Sequence, residues 1–181
     1  YQVIHFDGHG IYSREHGLGM LCFEDPADAG KLVRRGTKLV SAKQLGDELR
    51  DHRIPLVFLE ACQSAQAEQD PNASVAGQLL QAGVASVIAM SHSVLVETAR
   101  RFVEAFYDQL SRGATVGAAM LAGQRVLRTD PRRGRSFYGP LELRDWFVPV
   151  LYQEQADPQL VTAVSSERVE HGILEAARMA T

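Results

Sequence analysis

Short unbroken apolar runs alternate along the chain with stretches in which apolar residues recur every three or four positions. Val3 to Phe6 predicts a short buried strand that breaks on Asp7-Gly8-His9-Gly10, where two glycines permit a tight turn and Asp7 stabilises it through its own backbone. Gly19 to Phe23 and Lys38 to Val40 predict the two arms of a small hairpin. Ser41-Ala42-Lys43-Gln44 has the pattern of a capping box, and Leu45 and Leu49 follow at helical spacing, so a helix is expected to end near His52. Leu56 to Leu59 and Val84 to Met90 are continuous apolar runs of strand length, as in strands buried on both faces. Between them Ser74 caps a helix that Gly83 terminates, after a polar loop at Asp70-Pro71-Asn72. Val94 to Leu110 predicts a long amphipathic helix stopped at Gly113, and Thr115 caps another that runs towards Leu127. Pro131 to Arg135 reads as a basic, solvated loop. Trp146 to Tyr152 reads as a last strand, with Pro149 demanding an edge position or a bulge.

Strands that alternate with helices and are apolar on both faces imply a mostly parallel three-layer α/β sandwich. In such sheets the ligand crevice lies outside the carboxyl ends of the strands, and the pattern puts both His9 and Cys62 there. Residues 1–156 are expected to form this core, and 157–181 a linker and a weak helix, from about Ser166, leading to a further domain. The chain enters a strand at once from Tyr1, so it reads as a segment of a longer protein whose sheet lacks its first strand or strands here.

Composition narrows the function. The 181 residues are 45% hydrophobic, enough for one domain with a real core. Net charge is -3 from 19 basic and 22 acidic side chains, which disfavours direct nucleic-acid binding. No apolar run approaches the roughly 20 residues of a membrane span. Two cysteines, Cys22 and Cys62, are too few for a disulfide framework and favour a reducing, cytoplasmic setting. No Gly-rich phosphate loop follows any strand, which argues against a nucleotide-binding domain. No metal or other cofactor is expected, since the His and Cys spacings match no zinc pattern.

Cleavage of a peptide bond by a thiol needs a thiolate fraction, a nearby imidazole and amide donors for the developing oxyanion. Cys62 after a buried strand, His9 after another, and Gly10, which lets backbone approach a substrate carbonyl, supply these types at strand ends. Cys22, in the apolar arm Met20-Leu21-Cys22-Phe23, reads as a structural residue. His16 and His52 read as exposed. His92, in Met90-Ser91-His92-Ser93, follows a buried strand and is the rival imidazole.

The blocks His5-Phe6-Asp7-Gly8-His9-Gly10 and Phe58-Leu59-Glu60-Ala61-Cys62-Gln63-Ser64-Ala65 resemble the His-Gly and Ala-Cys blocks of the CHAT family, a caspase, separase and gingipain-like branch often fused to tetratricopeptide repeats. The resemblance continues through Ala82 to Met90, Phe106-Tyr107, Ala118-Ala119-Met120 and Asp145 to Tyr152, covering about residues 1–155. The His stands about fifty residues before the Cys, as in caspases.

The resemblance implies a caspase-like αβα sandwich and a cysteine endopeptidase acting on a protein or peptide substrate. His9 would be the base or imidazolium partner, Cys62 the nucleophile, and the backbone amides of Gly10 and Cys62 the oxyanion hole. Ser91 and His92 would line the substrate groove. Regulation by repeat or sensor domains of the full-length chain is implied as well. Glu60 and Ser64 depart from the caspase signature and disfavour aspartate specificity. Some relatives that cleave after Arg or Lys carry an acid two residues before the Cys, so Glu60 implies either a basic P1 residue or a local hydrogen-bond anchor. A catalytically silent scaffold acting through protein binding is the alternative function.

Overall fold

The two unbroken apolar runs become strands β4 (Leu56–Ala61) and β5 (Ser86–Met90), in which Glu60 alone is not fully buried. In the computed structural model, which describes residues 1–13, 18–32, 35–61, 74–154 and 156–162, their side chains alternate between two cores. Val57, Leu59, Ala61, Val87 and Ala89 enter one, and Leu56, Phe58, Ile88 and Met90 the other. A strand covered on both faces must be apolar at every position, which is why no alternation appears in the sequence.

Helices α1 (Ala42–Asp51) and α2 (Val75–Gln81) close the first core, and α3 (Val96–Ser111) and α4 (Val116–Thr129) the second. α1, α2 and α4 start where their caps predict, whereas α3 follows Leu95 with no side-chain cap. The Gln44 amide donates to Ser41 Oγ at 3.3 Å and the Ser41 amide to Gln44 Oε1 at 3.1 Å, completing the capping box. Ser74 Oγ accepts from Gly77 N at 3.0 Å, and Thr115 Oγ1 from Ala118 N at 3.3 Å. At Gly46 a Cβ would lie 2.4 Å from the Ala82 Cβ, so the α1–α2 contact needs glycine.

The remaining strands are β1 (Val3–Ser13), β2 (Leu18–Glu24), β3 (Thr37–Ser41) and, after a separate hairpin, β8 (Pro149–Gln153). The six-stranded sheet has the order β3-β2-β1-β4-β5-β8. β1, β4 and β5 pair in parallel, while β1–β2, β2–β3 and β5–β8 are antiparallel, so β1, β3, β4 and β5 run one way and β2 and β8 the other. This is the expected three-layer α/β sandwich. The β2–β3 pair is the predicted hairpin, with Cys22 opposite Leu39. Pro149 opens the edge strand β8, where a missing N–H costs no interior ladder bond.

Two sequence expectations fail. The chain does not turn at 7–10: β1 continues to Ser13, and neither Gly8 nor Gly10 has a positive φ. Asp7 is therefore a strand residue and not a turn stabiliser. Gly8 serves close packing instead, because a Cβ there would meet the Phe6 ring at 2.8 Å. The basic loop is a two-stranded hairpin, β6 (Arg132–Ser136) and β7 (Gly139–Glu142), and Arg133 is buried rather than solvated. Its guanidinium donates to Asp145 Oδ1 at 2.6 Å, to Leu127 O at 3.0 Å, to Asp130 O at 2.5 Å and to Thr98 Oγ1 at 3.1 Å, and Thr98 in turn donates to Asp145.

Residues 157–160 fold back on the start of α4: Val116 N donates to Pro158 O at 3.0 Å, Gly117 N to Asp157 Oδ1 at 2.8 Å, and Gln159 Nε2 to Gly113 O at 2.7 Å. Burial works against charge on Asp157, but hydrogen bonds from Thr115, Gly117 and Gln153 outweigh it and hold the carboxyl below its ordinary range. A carboxylate with a depressed folded pKa adds stability above its unfolded pKa, and that stability is lost as pH falls through the folded value. Thermal midpoints of wild type and Asp157→Asn are therefore expected to differ at neutral pH and converge in acid; a pH-independent gap would contradict this. His16, the Asp70-Pro71-Asn72 loop and the helix expected from Ser166 fall outside the described residues. Among the described residues, no helix is long and apolar enough to cross a membrane.

Candidate active site

Side chains alternate along a strand, so His5, Asp7 and His9 share one face of β1. That face is the α3 side: the His5 ring stacks 4.4 Å from Phe58 and 5.7 Å from Tyr107, on α3. His9 sits where β1 changes partners. Through Gly8 opposite Ala61 the strand pairs in parallel with β4, and from His9 opposite Cys22 it pairs antiparallel with β2. His9 is thus the residue after the last parallel pair among the described residues, and is exposed. It lies in the middle of a strand, and not in the turn at a strand tip that the sequence predicts.

Glu60 faces the same side, opposite Asp7 in the parallel register. Directly opposed like charges are unfavourable, and a hydrogen bond offsets part of that cost. Glu60 Oε2 lies 3.3 Å from His5 Nε2, and His5 Nδ1 lies 3.0 Å from the Tyr107 hydroxyl. Burial, with the Glu60 charge adding to it, pushes the Tyr107 phenol up to about 12, so it stays protonated. A carboxylate can only accept, so Nε2 is the donor to Glu60, and in a neutral imidazole Nδ1 is then the acceptor for the Tyr107 hydroxyl. Glu60 is thereby fastened to β1, with 24% of its side chain still open to solvent.

Beyond β5, the Ser91 amide and hydroxyl both donate to Val148 O, at 2.9 and 3.0 Å. Ser91 Oγ is also 3.0 Å from His92 Nδ1, and the exposed His92 ring meets Phe147 edge-on at 6.4 Å. The loop after β5 is therefore tied to the segment entering β8, which Asp145 fixes by accepting from Val148 N at 3.0 Å through its carbonyl. Gly10 pairs with Leu21. Cys62, the nucleophile read from the sequence, follows Ala61 directly and lies outside the described residues.

Two features of this face escape sequence reasoning. Cys22, read as a hairpin hydrophobe, is the register partner of His9 and is partly exposed. Directly opposed residues share a face with Cβ atoms about 4.5–5.5 Å apart. Only the full length of β1, hidden by its glycines, would have revealed that pairing. His5 joins Tyr107 and Glu60 across a long sequence separation, and its one local signal is that it has the strand parity of His9.

No match is found among curated proteins. The family model of the CHAT domain matches residues 1–161, a span that takes in the whole sheet and all four helices described above. With the His-Gly strand and the Ala-Cys strand as parallel neighbours at the centre of that sheet, the chain belongs to the CHAT domain family, a caspase-like, peptidase-related group.

Proposed function

We propose that this domain is a cysteine endopeptidase in which His9 and Cys62 form the dyad. The observation that carries the reading is the pairing of Gly8 with Ala61, the residues that precede His9 and Cys62 in sequence: two directly opposed Cα positions in the parallel ladder support a dyad of these two side chains. His9 takes the thiol proton, and the thiolate attacks the peptide carbonyl. The amides of Gly10 and Cys62 hold the oxyanion. The imidazolium returns its proton to the leaving amine as the C–N bond breaks, leaving a thioester. A water deprotonated by His9 then hydrolyses it, releasing the acid and regenerating the thiol.

Glu60, held by His5 with part of its carboxylate open to solvent, supports a preference for a basic P1 side chain, and the tied loop of Ser91 and His92 supports a role for both in lining the groove. Residues 1–156 act as the peptidase core in a cytoplasmic setting, with low basal activity raised by repeat or sensor domains. The test is cleavage of matched P1-Arg and P1-Leu peptides by the full-length protein. Wild type is expected to cleave them and Cys62→Ala to cleave neither. Glu60→Gln should lower the Arg/Leu ratio of kcat/KM by about 10- to 100-fold, the worth of a charge-assisted contact. An unchanged ratio would remove Glu60 from the specificity site.

A further inference from the structure

The β6–β7 hairpin carries two aromatic side chains with nothing beneath them. Phe137 and Tyr138, the two residues that connect its strands, are 96% and 95% exposed. Two-residue hairpin loops favour Asn-Gly and similar pairs because both central residues then take positive φ. Neither Phe137 nor Tyr138 has a positive φ; the left-handed positions fall on Gly134 and Gly139 instead. The positive-φ demand of this turn is met by glycine, which leaves 137 and 138 open to any side chain, and both carry bulky aromatics that bury almost no surface of the fold. Two adjacent large aromatics left almost wholly exposed, with no packing role in the fold, mark a contact surface.

The hairpin is firmly rooted. Arg133, in β6, is the buried guanidinium clamped between Asp145, Leu127 O, Asp130 O and Thr98, so the base of the finger is fixed to α3, α4 and the segment before β8. A rigid finger loses little conformational entropy when it docks. The hairpin carries the exposed Arg132 and Arg135 against one exposed acid, Glu142, which stands opposite Arg132, on a chain whose net charge is -3. At its root the exposed Arg128, over the Trp146 ring, and Arg144 line one cavity with Pro131. Of the neighbouring acids, Asp130 is already engaged by Arg101 and Arg132.

We propose that this hairpin is a docking finger for a separate protein partner, inserting Phe137 and Tyr138 into an apolar pocket rimmed by carboxylates. Aromatic residues and arginine are the side chains that most often anchor protein interfaces. The geometry favours a protein over a nucleic acid: the two rings meet edge-on, 5.4 Å apart at 86°, and present no pair of parallel faces for successive bases. The negative net charge of the chain also opposes a phosphate backbone. The inference stands independently of peptidase activity.

The test is selection of short random peptides, displayed on phage, by the full-length protein, followed by binding measurements with synthetic copies. Enriched peptides are expected to combine Asp or Glu with aliphatic or aromatic anchors. Their affinity should fall at least about tenfold in Phe137→Ser/Tyr138→Ser and severalfold in Arg135→Glu. Both sites are exposed, so thermal midpoints should stay at the wild-type value, and a single Tyr138→Ser variant replaces the double one if the latter is destabilised. Selection of no acidic peptides, or of peptides whose binding survives these substitutions, overturns the proposal. So does oligo-dT binding lost in the same variants, which would make the finger a nucleic-acid reader.

Discussion

His9→Ala should lower kcat/KM for a cleaved peptide by about 10²- to 10⁴-fold, the usual contribution of a positioned acid–base group, while leaving the thermal midpoint unchanged. The split follows from where the residue lies. His9 is exposed and projects from a strand whose ladder bonds are made by the backbone, so truncating it empties no core. Surface substitutions of this kind usually stay within about 0.5 kcal/mol. Initial rates on the P1-Arg peptide, with scanning calorimetry of the same preparations, check both halves. Because the imidazole acts on the thiol and on the leaving amine, the loss should fall on kcat rather than KM. Wild-type rates in His9→Ala would remove it from the chemistry, and His92, the exposed imidazole beyond β5, would be next in line.

The largest stability effect should come from Arg133→Met. Its side chain is fully inaccessible and paired with Asp145, whose side chain is 13% exposed. Removing one member of a buried ion pair leaves the other charge uncompensated, at a cost of about 3–5 kcal/mol. For a domain of this size that is a drop on the order of 10 °C in thermal midpoint. Leu127 O and Asp130 O lose their donors at the same time. The double variant Arg133→Met/Asp145→Leu should recover much of the loss, since a buried pair replaced by apolar groups is often close to neutral. A small effect of the single variant, or no recovery in the double, would contradict the clamp.

What the sequence reveals and what it hides follow from the range of the interactions involved. The helix starts at Ser41, Ser74 and Thr115 are legible because a cap is a contact between residues three apart. The strands β4 and β5 are legible because burial on both faces leaves an unbroken apolar run. β1 is illegible beyond Phe6 because glycine at positions 8 and 10 signals a turn by composition, whereas Gly8 is there to clear the Phe6 ring. Arg133 looks like one more solvated arginine in Pro131 to Arg135, since its partners Thr98 and Asp145 arrive from other elements. The site divides in the same way. The place of Glu60 near the end of β4 comes from the apolar run before it, but the mid-strand position of His9, the His5–Tyr107 bond and the opposition of Cys22 to His9 depend on packing and register that no local pattern encodes.

That opposition makes Cys22 a built-in comparison for the central claim. The measurement is the rate at which iodoacetamide alkylates each cysteine of the full-length protein near neutral pH, followed by peptide mass spectrometry in wild type and His9→Ala. Cys62 is expected to label fast in wild type and at least about tenfold more slowly without His9, as the thiolate fraction falls, and Cys22 to label slowly in both. Equal Cys62 rates in the two proteins, or a His9-dependent reaction at Cys22 in its place, would contradict the assignment of Cys62 as the nucleophile partnered by His9.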